Sequence, residues 1–167
     1  MISAEYLRTL ARYNRWQNDN LVKAADGLDE AARRADGGAF FGSIFCTFNH
    51  LLWADRMWMS RLAGRPKPAK PLTDSVSETQ NWNSFKTARL ETDEVISAWA
   101  DGLRDGDLAG SLSWYSRSAG RELSQPLWLL ATHVFNHQTH HRGQIHALLT
   151  AAGAKPGATD LPFMTAA

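Results

Sequence analysis

Four long stretches of this chain carry apolar side chains at helical spacing, and a glycine or proline closes each of them. Each stretch has one apolar stripe, and four such stripes are buried most simply by packing helix on helix as a bundle. The first stretch opens after Ser3, which can cap the free N–H groups of a first turn, and runs to about Gly27. Leu7, Leu10, Leu21 and Leu28 form its stripe, with Tyr6, Tyr13 and Gln17 between. Residues 29–39 are charged and glycine-containing and read as a connection with a turn of helix. The second helix begins near Ser43, carries Ile44, Phe48, Leu51, Leu52, Met57, Trp58 and Leu62, and stops at Gly64. The prolines of RPKPAKPL exclude a helix interior, so this segment is a surface loop.

Ser77, or Asp74 before it, opens a third helix expected from about Glu78 to Leu103, with Trp82, Phe85, Leu90, Val95, Ile96 and Trp99 inward. Asp101-Gly102 and Asp105-Gly106 end it. Residues 108–126 alternate apolar and polar side chains around Ser118-Ala119-Gly120, the pattern of a short hairpin or extended arm. Pro126 suits the first turn of a fourth helix, which continues to a glycine cap at Gly153. The expected fold is therefore all-α: a four-helix bundle with a short hairpin-like arm before the last helix, in one domain over 1–167.

The 18 Lys and Arg balance 17 Asp and Glu, leaving a net charge of +1 spread along the chain. No basic face is available to neutralise a row of phosphates, which argues against a nucleic-acid partner. A single cysteine, Cys46, excludes an internal disulfide and is consistent with a reducing compartment. The opening MISAEYLRTLARYNRW has an acid and three arginines where a signal peptide would hold an apolar core, and no apolar run is long enough to span a bilayer. A cytoplasmic protein with no membrane partner is expected. The seven tryptophans read mostly as core or groove-lining residues.

Five of the six histidines lie between His133 and His146, within the fourth helix. Leu130, Val134, His137, His141, Ile145 and Leu148 follow one another at steps of three and four, the spacing of a core stripe, so His137 and His141 face inward. Rings four residues apart share one helix face, close enough to bind the same ion. His133 and His140 fall on the flanking polar stripe with Asn136 and Gly143, and they, like His146, meet solvent or act from behind the ligands. A third ligand has to come from another helix, and His50, flanked by Leu51, Leu52 and Trp53, is the histidine that remains. Three protein ligands leave a coordination position open, as catalytic sites do. The competing reading is a polar seam of ordinary core histidines. That seam leaves ring nitrogens unpaired at about 1–3 kcal/mol each, a cost that a shared metal ion removes.

The HQTHH run has glutamine, Gln138, where the zinc-peptidase motif H-E-x-x-H has its glutamate base, so peptidase chemistry is unsupported. Cys46, four residues before His50, can face the same way as a fourth ligand, although a free helical cysteine is usually a small buried hydrophobe. Arg142 and Gln144 can orient a carboxylate-bearing thiol or pin helices together. Gly143 suggests a close helix approach, and Asn14 and Trp16 can line the mouth of the site or simply pack.

FNHLLWADRMWMSRL in the second helix and HVFNHQTHHRGQIHALLTAAG in the fourth resemble the DinB-like (DinB/YfiT) metal-dependent bundle family. The resemblance extends to YNRWQNDNL, SWYSRSAGRE and the DLPFM ending, and so covers nearly the whole chain. It implies a four-helix bundle with one unusual crossover, frequent homodimers, and a three-histidine site for zinc, nickel or a similar ion, with the ligands falling on His50, His137 and His141. Characterised members are mainly transferases or isomerases that use low-molecular-weight thiols such as bacillithiol or mycothiol. The leading expectation is a metal-dependent enzyme that activates a small thiol, or in second place water, against a small-molecule electrophile. A non-catalytic metal-binding protein with a stress or interaction role is the alternative. Neither expectation names a catalytic side chain or an organic cofactor.

Overall fold

The computed structural model describes residues 2–164. Four long helices, α1 (Ala4–Asp26), α3 (Ile44–Leu62), α4 (Trp82–Gly102) and α5 (Leu127–Ala151), are joined by a short α2 (Glu30–Arg34), by 3-10 turns, and by an antiparallel hairpin of β1 (Ser111–Ser116) and β2 (Arg121–Pro126). α1 and α3 each pack against both α4 and α5, giving an all-α four-helix bundle with the hairpin as an arm ahead of α5. Among the described residues no helix is long and apolar enough to cross a membrane.

The helix ends are where the polar side chains predict them, with one exception. Ser3 and Ser43 accept N–H bonds from Tyr6 and Cys46 and so satisfy first-turn donors of α1 and α3. Gly64, Gly120 and Gly153 take positive φ values at the end of α3, in the hairpin turn and after α5. α4, however, begins at Trp82 rather than near Glu78. Asn49, buried on α3, accepts from the backbone N–H of Thr79 at 2.6 Å and from its hydroxyl at 2.8 Å, and Arg56 holds Glu78 at 2.9 Å. These contacts keep 78–80 out of the helix, and Asn81 with Ser84 forms the capping box that starts it. Leu72–Ser77 is a separate 3-10 turn packed on α3.

The core has two apolar ends with a polar layer between them. One end gathers Leu21, Phe45, Phe48, Leu52, Phe85, Ile145 and Leu149, the other Leu7, Met59, Ile96, Ala131, Val134 and Phe135. Every long helix changes from apolar to polar between the two, at Asn14 and Asn18 on α1, Asp55 on α3, Arg89 and Asp93 on α4, and Gln138 and Arg142 on α5, all buried. The inward stripes expected from the sequence hold in the main, but Leu90 is 52% exposed and Leu10 and Leu28 are only half-buried. Arg89, Asn14 and Asn18 occupy the inward positions instead.

Candidate metal centre

α3 and α5 run antiparallel, so His50 comes level with His141 and His137, and one ring nitrogen from each of the three lies within 4.8 Å of the others. His50 and His141 are buried and His137 half-buried. The Nε2 atoms of His137 and His141 are 3.1 Å apart. Zinc–imidazole bonds of roughly 2.0–2.1 Å at a tetrahedral angle separate ligand nitrogens by about 3.3 Å, so this pair already has the spacing of a shared ion.

Two of the rings are held from behind. The Nδ1 of His50 lies 2.9 Å from Ser75 Oγ, and the Nδ1 of His141 lies 2.8 Å from Gln144 Oε1. A proton on Nδ1 donated to these oxygens fixes the tautomer and leaves the Nε2 lone pair for a metal, the arrangement that orients metal-binding histidines generally. Phe41 stacks on His50 with ring centroids 4.0 Å apart and fixes the plane of that ring. Burial, followed by the neighbouring histidines, pushes His50 down to about 4 and His137 down to about 3. His141 is also lowered by burial, with the Gln144 bond acting against it. All three rings are thus neutral donors near pH 7, which is the state a borderline divalent cation requires.

The polar layer lies directly beside this group. Arg89 bonds Asp55 at 2.6 Å and forms two bonds to Asp93 at 3.1 and 2.9 Å. Asn14 and Asn18 also donate to Asp93, Gln138 donates to Asp55 at 3.0 Å, and Arg142 donates to Asn14. Two aspartates and two arginines balance in charge, and every long helix contributes a side chain, so the layer's hydrogen bonds join all four helices. Burial pushes both aspartate carboxyls up, with the Arg89 guanidinium opposing. Gln138 and Arg142 are neighbours in sequence of His137 and His141, so the layer anchors the helix face that carries two of the three histidines.

The remaining sequence-level candidates divide clearly. Cys46 is half-buried and is not among the groups whose ligand atoms converge. Arg142 pins α5 to α1, whereas Gln144 supports His141, so the two have separate roles. Asn14 is an interior residue of the polar layer and does not line a mouth; Trp16 packs edge-on to Tyr13. Gly143 has open space where a Cβ would point, so no close helix approach explains it. His133 and His140 are exposed as expected, and His146 is half-buried. Sequence reasoning missed Ser75 and Phe41, which lie on connections with no helical periodicity. It also missed Asp55, Arg89 and Asp93, for which a signal was present: Phe85, Arg89, Thr92 and Ile96 share core spacing, and Asp93 follows Arg89 by four.

An open cleft of about 760 Å³ leads to His50 and His141, with Phe40, Phe41, Leu72 and Val76 as its apolar wall and His140 and Gln144 at its edge. The residues present therefore fit a single divalent ion: three neutral nitrogen donors, two of them oriented from behind, beside a solvent-connected space. A comparison with family models matches the DinB family over residues 1–167, the whole chain, while no curated protein and no solved structure matches. With a helical bundle, a convergent histidine group and a family match along its full length, this chain belongs to the DinB family.

Proposed function

We propose that His50, His137 and His141 bind one divalent metal ion, zinc or nickel by ligand preference, and that the protein is a metal-dependent enzyme transferring a low-molecular-weight thiol to a small electrophile. The observation that carries this reading is the 3.1 Å approach of two neutral imidazole nitrogens beside a third, at the inner end of an apolar cleft. The chemistry such an ion supplies is acidification of a thiol that reaches it, so that an ordinary thiol reacts as its anion near neutral pH. The side chains then have simple tasks. Ser75 and Gln144 hold two ligand rings, and Phe40, Phe41, Leu72 and Val76 offer an apolar wall to the electrophile.

The test is conjugation of a panel of small thiols to 1-chloro-2,4-dinitrobenzene by metal-loaded protein. Turnover above the metal-stripped control that disappears in His141→Ala supports the reading. A metal-loaded protein that accelerates no thiol leaves a non-catalytic metal-binding role as the better account.

A further inference from the structure

Toward the C-terminal end of α3, away from the Phe40–Leu72 cleft, two indole rings flank a guanidinium. The Cζ of Arg61 lies 4.6 Å from the ring centroid of Trp58 on α3 and 5.4 Å from that of Trp114 on β1. The two indoles meet at 73° with centroids 5.9 Å apart, so Arg61 occupies the corner between them. Trp58 also packs edge-on to His133 at 5.0 Å, and His133 lies 5.6 Å from His137. An unbroken row of rings thus joins this corner to the three-histidine group.

Arg61 differs from the other buried or half-buried arginines. Arg8, Arg15, Arg33, Arg56, Arg89 and Arg142 all reach a carbonyl, an amide oxygen or a carboxylate. Arg61 has no hydrogen-bond acceptor and no acidic partner among the described residues, yet it is half-buried, and burial pulls its pKa down. The indole faces satisfy its π surface and leave its in-plane N–H fork open, the edge that takes a carboxylate through two parallel bonds.

We infer that Arg61, set between Trp58 and Trp114 at the far end of the row of rings from the three-histidine group, is an anion-binding subsite for that group's substrate and that the molecule held there carries a carboxylate. This rests on the three-histidine group being the reaction site proposed above. His50 and Arg61 are roughly 16 Å apart along the rise of α3. Arg61 stacks on Trp58, which meets His133, and His133 lies about 9 Å along α5 from the level midway between His137 and His141, so the span to be bridged is about 10 Å. The substrate class is therefore a small carboxylic acid whose reacting atom is several bonds from its charge.

The experiment measures binding of 8-mercaptooctanoate, 8-mercaptooctanamide and octanoate to the protein as purified by titration calorimetry, using wild type, Arg61→Leu and Arg61→Lys. 8-Mercaptooctanoate should bind wild type at least about tenfold more tightly than its neutral amide, the size expected of a charge-assisted bond, and octanoate should lose affinity by the same factor in Arg61→Leu. That preference should vanish in Arg61→Leu and be partly kept in Arg61→Lys, while the amide binds all three alike and so reports intact folding. An acid preference absent from wild type, or unchanged in Arg61→Leu, overturns the subsite and makes Arg61 a tether between the hairpin and α3. If octanoate behaves as predicted but the thiol adds no affinity, the subsite stands and the thiol-transfer reading fails.

Discussion

Gln138 donates its side-chain amide to Asp55 across 3.0 Å, in the buried polar layer and adjacent in sequence to His137. A residue that replaces the catalytic glutamate of zinc peptidases by sequence position is thus committed to joining α5 to α3. Gln138→Glu should create no peptidase. It sets a third carboxylate against Asp55 without a matching cation, and should destabilise the protein by about 3 kcal/mol or more, as broken buried pairs do. Urea denaturation checks this; a variant as stable as wild type would show that the layer tolerates added charge.

Ser75 and Gln144 act on the centre only through the rings they hold. Ser75→Ala and Gln144→Ala should each weaken zinc affinity roughly 10- to 100-fold, in line with the loss of groups that orient metal-binding imidazoles. Competition with a chromophoric chelator measures it. Unchanged affinity in both variants would mean that helix packing alone fixes the two tautomers.

Metal-free protein should lose stability on acidification because of the same histidines. In the unfolded chain His50 and His137 take up protons as the pH falls through the ordinary value of 6.5, whereas the folded protein resists until about 4 and about 3. Between those limits the unfolded state binds more protons, so the contribution is complete above pH 6.5 and is lost progressively down to pH 3–4. The buried aspartates, with raised values, act in the opposite direction. Comparing chelator-stripped wild type with the His50→Ala, His137→Ala double variant isolates the histidine share. The double variant should show the shallower fall of unfolding free energy between pH 6.5 and 4, and identical slopes would contradict the assignment.

The histidine group was legible in the sequence because ligands on regular helices inherit the helix period. His137 and His141 sit among Leu130, Val134, Ile145 and Leu148, and once those face inward the rings must too. The helix ends were legible where a serine or a glycine fixes local geometry, as at Ser3, Ser43, Gly64 and Gly153. The start of α4 was not, because it is decided by Asn49, which captures the Thr79 backbone from another helix. Ser75 reaches His50 from a connecting turn, and Asp93 meets Asn14 and Asn18 on a helix far away in sequence. Pairings of that kind follow from tertiary packing and leave no period to read. Arg89 and Asp93 were hidden for a different reason: a polar residue at a core-spaced position is ordinarily read as an interruption of the stripe, when here a layer of such residues runs through all the long helices.

The central claim is that His50, His137 and His141 hold one metal ion, and elemental analysis of the purified protein tests it most directly. Wild type should carry about one divalent ion per chain, as expected of three imidazoles converging on one point. His137→Ala or His141→Ala should lower that figure sharply, and the His50→Ala, His137→Ala, His141→Ala triple variant should carry none while remaining helical by circular dichroism. Full metal occupancy in the triple variant, or a metal-free wild type that takes up no zinc or nickel when either is supplied, would contradict the account.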